Sequence, residues 1–357
     1  MTSKTFFETA EQVALEKGIS VEDVYEATRK GLVQSFKKAY GNNSCKAVLN
    51  PEKHEILLLA LFKVVDVLSE EENPDEIKEI LLEDAKKIKK SAKVGDIIEQ
   101  KVDFKAFGRN AIGVAKNITG QSMKQTERDK AYEYFKSMEN EMVVGTVSNI
   151  NDNFVTINLG MNVFTSLPKS EFAAGDGAYL GQNVRVYVKK VEQTTKEPKV
   201  TVSRNDRQLV IRLMENNIPE IKEGIIEIKG IARDPGDRTK IAIYSNDPKI
   251  DAIGSCVGEG GSRIKRIVDD LGGEKVDLYK WSENPEELIA NSLQPASVTK
   301  VLSINLKDKT STVVVPDEHL SLAIGKSGQN VRLAVQSCDW KIDIMPTSEA
   351  YEKGLLI

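Results

Sequence analysis

Histidine, cysteine and aromatic residues are scarce in this chain, and each scarcity closes off a class of function. Two histidines and three cysteines in 357 residues leave little material for metal centres, nucleophilic dyads or a disulfide framework. Cys45, Cys256 and Cys338 are scattered without metal-like or disulfide spacing, so they read as free structural thiols of a reducing compartment. His54 and His319 have no histidine or cysteine close by in sequence. No catalytic residue, metal or cofactor is therefore expected. Aromatics make up only 6% of the chain, so any base-stacking platform must rest on few rings.

Long apolar runs are missing as well. The longest, Ile56 to Phe62, is far too short to span a bilayer. The opening Met1 to Glu8 does not have the form of a signal peptide. The expectation is a cytoplasmic protein without a membrane partner. There is no excess of positive charge either: 50 basic against 54 acidic side chains give a net charge of −4 and a pI of about 5.6. Residues 1–125 carry 20 of each sign, 126–205 carry 10 of each, and the remainder carries 20 basic and 24 acidic. This balance argues against a bulk polyelectrolyte binder. Nucleic-acid binding must come from placed charges and backbone N–H groups.

What is present is a motif that occurs twice. Gly325-Lys326-Ser327-Gly328 is a G-x-x-G loop, preceded at helical spacing by Leu320, Ala323 and Ile324 and followed by Val331, Ala334, Val335 and Cys338. Trp340, Ile342 and Ile344 then alternate as a strand. Helix, G-x-x-G, helix, strand is the core of a KH module, whose loop clamps a single-stranded nucleic-acid backbone. The rival reading is a nucleotide-binding P-loop. It needs a glycine at position 320, where Leu320 stands, and a strand rather than a helix leading in. Sixty-seven residues upstream the pattern recurs: Gly258 and Gly261 fall on Gly325 and Gly328, and Ile264, Ile267 and Val268 fall on Val331, Ala334 and Val335. Lys275–Leu278 matches Lys341–Ile344 after a one-residue slip. Two strand-like runs precede each copy (Ile225–Ile231 with Lys240–Tyr244; Val301–Leu306 with Ser311–Val315), and a helix precedes each pair (Asp206–Glu215; Pro285–Ser292). The order α-β-β-α-α-β is the prokaryotic, type II, KH fold.

From the start of the chain, residues 5–17 read as an amphipathic helix ended by Gly18, and Ser20 with Asp23 forms a capping box for a helix running to Tyr40 and Gly41. Cys45–Leu49, Glu55–Val67 and Ile97–Val102 read as strands. Glu70, Glu71 and Glu72 form an acidic link, and Asn73-Pro74 is expected to open a short helix ending near Lys90. Phe107-Gly108-Arg109 opens a long charged helix, weakest at Gly120, that reaches about Met138 as a connector. Residues 140–204 hold five short alternating runs, Val143–Ile150, Phe154–Leu159, Val163–Leu167, Val184–Val191 and Val200–Ser203. Turns fall at Asn151 to Asn153, Gly160 and Gly175 to Gly177. This is a small OB-fold barrel of the S1 RNA-binding type. Its candidate stacking rings are Phe154 and Phe164, one of which could equally be core.

These features occur in a fixed order. Phe107-Gly108-Arg109, the S1-type barrel, Ser203-Arg204, Ile218 to Ile221, both KH loops, Leu271 to Asp277, Trp281 to Glu283 and Ile324 to Ala334 together make the chain resemble the bacterial NusA family of transcription termination and antitermination factors. The resemblance covers essentially the whole chain. It implies a multidomain α+β protein: an N-terminal polymerase-binding domain at 1–125 with a connector helix to about 138, an S1 barrel at 139–205, KH modules at 206–282 and 283–346, and a short tail at 347–357. It also implies a non-enzymatic, monomeric elongation factor. Its partners would be RNA polymerase near the β flap and RNA exit channel, nascent single-stranded RNA, and other antitermination factors. The expected RNA-contacting set is Gly258, Glu259, Gly260, Gly261, Arg263 and Lys265 in the first copy. In the second it is Gly325, Lys326, Ser327, Gly328, Gln329, Asn330 and Arg332, with Phe154 and Phe164 on the barrel.

Two departures stand out. The first loop carries Glu259-Gly260 where a basic residue is expected, and only 13 residues follow Ile344, too few for the acidic repeats some members carry. The rival functions are an exoribonuclease of the polynucleotide phosphorylase kind, which sets its KH before S1 behind a much longer catalytic region, and a ribosome-associated or RNA-chaperone protein built from the same modules.

Overall fold

A computed structural model describes residues 3–41, 44–69, 76–103, 109–172 and 177–356. The chain divides into two compact units, 1–134 and 135–357.

In the first unit, α1 (Ser3–Lys17) buries Phe7, Ala10 and Ala14 on one face, against Val24, Tyr25 and Ala27 of α2 (Val21–Tyr40). Ser20 and Asp23 form the expected capping box, and Gly41 closes α2 in the left-handed conformation. β1 (Cys45–Asn50) and β3 (Lys78–Leu81) lie along one edge of the long β2 (Glu55–Val65), on residues 55–60 and 62–65, with α3 (Leu82–Ile88) after β3. β4 (Ile97–Lys101) takes the other edge.

The helix expected from Asn73-Pro74 to Lys90 is therefore corrected. Residues 73–75 lie outside the described residues, Lys78–Leu81 is a strand, and only Leu82–Ile88 is helical. The end of β2 left free by β1 offers backbone partners there, and Ile80 and Leu82 pack on the Val64, Ala85 and Ile98 cluster. Tertiary pairing outweighs the local cap signal. α4 (Arg109–Ser137) passes through Gly120 without a break and buries Met123 against the α1–α2 cluster. Phe107 and Gly108 fall outside the described residues.

The second unit opens with five strands, β5 (Met142–Ile150), β6 (Phe154–Gly160), β7 (Val163–Pro168), β8 (Asn183–Glu192) and β9 (Lys199–Ser203), in the order β7-β6-β5-β8-β9. The two ends of this sheet approach each other, with Thr165 Oγ1 donating to the Val200 carbonyl at 2.8 Å, so the barrel is nearly closed. Of the expected turn at Gly175 to Gly177, only Gly177 is described.

The first KH module comprises α5 (Arg207–Asn217), α6 (Pro219–Lys222), β10 (Ile226–Asp234), β11 (Arg238–Ser245), α7 (Ala252–Val257), α8 (Ser262–Asp270) and β12 (Lys275–Lys280). The second comprises α9 (Pro285–Ser292), β13 (Lys300–Asn305), β14 (Thr310–Val315), α10 (Leu320–Ile324), α11 (Gln329–Cys338) and β15 (Lys341–Pro346). In each, the first two strands are antiparallel and the third lies parallel to the second, the type II arrangement expected from the repeat. The residues expected as a short tail open with α12 (Thr347–Glu352). It is pinned by Thr347 Oγ1 donating to the Val315 carbonyl and by the Ser348 N–H donating to Asp317, and it buries Ala350.

The two KH modules are fitted to each other. A Cβ at Gly230, beside a bulge in β10, would lie 1.9 Å from the backbone oxygen of Ser337 in α11, so only glycine permits this approach. Tyr279, from β12, donates its hydroxyl to Ser337 Oγ at 2.9 Å. Lys240, on β11, is 1% exposed. Its ammonium donates to the carbonyls of Ser292 and Gln294 and to Asn330 Oδ1, each at 2.7 Å, which uses its three hydrogens. Burial lowers its pKa to about 8, opposed by the attraction of Asp277.

Candidate nucleic-acid interface

The two G-x-x-G loops have nearly the same backbone. Gly258 and Gly325 share φ 76° with ψ 172° and 171°, and the third and fourth positions are left-handed in both: Gly260 and Gly261 at 58° and 79°, Ser327 and Gly328 at 52° and 75°. Each loop is a single 3-10 turn leading into a helix whose first turn has no side-chain cap, α8 after Gly261 and α11 after Gly328. Uncapped N–H groups at an exposed loop suit a phosphate. Lys326, Ser327, Glu259, Gly260 and Lys265 are all exposed.

A brace five residues after the first glycine supports each loop, from a half-buried Arg263 in the first copy and a buried Asn330 in the second. Arg263 Nη1 donates to both carboxylate oxygens of Glu220 at 3.0 and 2.8 Å and to the Ser255 carbonyl at 2.7 Å. A Cβ at Gly258 would meet its Cγ at 2.7 Å. Asn330 is buried and donates to the carbonyls of Leu293 and Ala323 at 3.0 Å while accepting from Lys240. A Cβ at Gly325 would lie 2.7 Å from its backbone nitrogen. Both residues were expected among the RNA contacts, and their polar groups hydrogen-bond beneath the loop.

Gln329 and Arg332 are also engaged. Gln329 Nε2 donates to Asp237 at 2.7 Å and Asp234 at 3.1 Å, and Arg332 pairs with Asp234. Both acids sit on the β10–β11 hairpin of the first module. Sequence reading missed these acids, together with Gly230 and Lys240. A glycine inside a strand pattern and a lysine at an inward strand position were the available signals.

On the barrel, Phe154 and Phe164 both face outward, 44% and 54% exposed, so neither is core. Phe164 lies opposite Asn158, and residues 154 and 158 share a face. The rings are thus separated by four positions along a strand, about 13 Å. Between and beside them the face is polar. Thr156 lies opposite Ser166, and the row from Phe164 through Asn158 continues to Thr146 and Asn183, whose side chains are hydrogen-bonded at 3.0 Å. Hydroxyl and amide groups between two rings could read bases stacked on those rings.

Four family descriptions match in series: NusA N-terminal domain over 5–129, S1 RNA binding domain over 136–203, and the NusA-like first and second KH domains over 204–281 and 285–352. The transcription termination/antitermination protein NusA of Halalkalibacterium halodurans is 40% identical over 352 residues, 98% of this chain and 90% of that one. This chain belongs to the NusA family. The NusA protein of Bacillus subtilis is likewise 40% identical, over 341 residues, 95% of this chain and 90% of its own. That of Thermus thermophilus is 36% identical over 341 residues, 93% and 87% of the two chains. The NusA-family architecture accounts for the Leu271 to Asp277 motif in physical terms, because Glu274 within it is fully buried and accepts hydrogen bonds from Arg233, Gly236 and Thr239. Among the described residues, no helix is long and apolar enough to cross a membrane.

Proposed function

We propose that this chain is a non-catalytic cytoplasmic elongation factor that engages RNA polymerase through residues 1–125 and nascent single-stranded RNA through the barrel and both KH loops. By this reading it modulates pausing, termination and, with other factors, antitermination, acting as a monomer beside the β flap and RNA exit channel. The observation that carries the reading is the pair of exposed G-x-x-G loops with matching backbones, each opening an uncapped helix. The second loop, with Lys326, is the stronger clamp, and the first presents the Glu259 carboxylate to an approaching phosphate.

Replacing Lys326 and Ser327 by aspartate places two carboxylates on an exposed loop. The expected loss is about tenfold in RNA affinity at moderate salt, from one lost attraction and two added repulsions. The slope of log affinity against log salt should flatten by about 0.7 per lost phosphate contact. Fluorescence anisotropy across a salt series tests this, and an unchanged affinity with intact circular dichroism would remove the clamp from the mechanism. Independently, the compact unit 1–134 in excess should displace the full chain from core polymerase in interferometry. If it does not, the division of labour is wrong. Co-purification with ribosomal proteins in place of polymerase subunits would favour the ribosome-associated alternative, and phosphorolysis of labelled RNA the nuclease one.

A further inference from the structure

Two large apolar side chains stand in water at one turn of the barrel. Tyr179 is 64% exposed and Leu180 66%, and no other ring among the described residues is as open as that of Tyr179. The turn that presents them is firmly tied. Its third residue, Gly181, has a left-handed φ of 81°, where glycine is favoured, and the Gln182 N–H donates back to the Tyr179 carbonyl at 3.2 Å. The Gln182 side chain accepts from the Tyr179 N–H at 3.1 Å. The Gly181 N–H donates to the Val147 carbonyl of β5 at 2.9 Å, and the Val147 N–H donates to the Gln182 carbonyl at 2.8 Å. A turn held this way keeps tyrosine and leucine out of the core and forgoes the burial that both favour.

We propose that Tyr179 is a third base-stacking ring, reached by single-stranded RNA that leaves the Phe154 and Phe164 face and crosses β5 toward β8. The proposal rests on the RNA-binding reading above and extends its footprint. Barrels of this class hold nucleic acid on their second and third strands, here β6 and β7, and the turn before β8 lies outside that face. The register joins the two. Thr156 of β6 lies between Ser166 of β7 and Asn149 of β5, and the turn is bonded to β5 at Val147. Two strand spacings, about 10 Å, separate β6 from β8 across β5, close to the span between the two phenylalanines. Along this path Thr146 and Ser148 spend their hydroxyl hydrogens on Asn183 and on the Thr156 carbonyl, and keep lone pairs for donors on a base. The Tyr179 hydroxyl has no partner among the described residues. Residues 177–183 carry no charge, so the turn offers stacking and no phosphate contact. Every base has a π-face, so this ring adds affinity without choosing a sequence.

The test uses the full chain and single-stranded RNA 12-mers of mixed sequence, with fluorescence anisotropy across a salt series. Tyr179→Ala should weaken binding about fivefold or more, the scale of one base–aromatic stack. The slope of log affinity against log salt should stay that of wild type, because no cation is lost. Tyr179→Phe should bind within about twofold of wild type, a rescue that only the ring explains. In fluorotyrosine-labelled protein, the 19F resonance missing from Tyr179→Phe identifies Tyr179, and it should move when the 12-mer is added. Wild-type affinity in Tyr179→Ala with an unmoved resonance overturns the proposal, as does an equal loss in Tyr179→Phe or a flattened salt slope in Tyr179→Ala. If Tyr179→Ala keeps its RNA affinity and loses its hold on core polymerase, the turn is a protein contact and the proposal falls. If the wild-type chain binds none of the 12-mers, the RNA-binding reading itself fails and takes this proposal with it.

Discussion

A single methyl group at Gly230 is expected to drive the two KH modules apart. The Cβ of Gly230→Ala would sit 1.9 Å from the Ser337 backbone oxygen, and the obstructing atom belongs to a helix, with no flexible side chain to swing aside. Either β10 or α11 must retreat by more than an ångström, which breaks the Tyr279–Ser337 hydrogen bond and opens the packing around Ala242. Overpacking of this kind costs about 3 kcal/mol or more. Urea denaturation should show the loss, with a less cooperative transition in the second unit. RNA long enough to cross both loops should lose more affinity than a short oligomer that fills one. Stability within about 0.5 kcal/mol of wild type would mean that the close approach of Gly230 to α11 does not exist in solution.

Arg233→Met should be at least as damaging. The Arg233–Glu274 pair is almost fully removed from water, at 5% and 0% side-chain exposure, and Arg233 donates Nε and Nη2 to the carboxylate at 2.9 Å each. Removing the cation leaves a buried carboxylate with only the Gly236 N–H and the Thr239 hydroxyl, a change that typically costs about 3–5 kcal/mol. The pair sits beside the turn of the hairpin that carries Asp234 and Asp237, so the grip on Gln329 and Arg332 should loosen and RNA affinity at the second loop should fall. Arg233→Met with Glu274→Leu removes both charges and should recover most of the stability, since apolar replacement of a buried pair is often neutral. A double variant as unstable as the single one would place the energy in packing.

The repeat of G-x-x-G with its flanking periodicities made both KH modules legible from sequence, because helix faces and strand alternation are local signals. The same locality explains the misses. Lys78–Leu81 is a strand because the edge of β2 is waiting for it, and no residue near Asn73 encodes that edge. What escaped the sequence is the set of partners of Gln329, Asn330 and Arg332: Asp237, Lys240 and Asp234 lie 90 or more residues earlier. Periodicity says which face a residue occupies and is silent on what stands opposite. Phe154 and Phe164 show the converse: their neighbours in register reveal one shared outward face that alternation alone left open.

The seat of Lys240 also bears on how the protein is made. Its acceptors lie 52, 54 and 90 residues downstream, so when the first KH module emerges from the ribosome its lysine has only water to donate to. Until the stretch from Ser292 to Ser337 has been synthesised, β11 and β12 keep an unfinished underside with Lys240, Ala242 and Tyr279 facing water. A nascent chain halted after β12 would therefore carry one G-x-x-G loop on an incomplete support, and one halted before Asn330 would lack the brace for the second. The two KH modules are thus completed together, once α9 to α11 have been made.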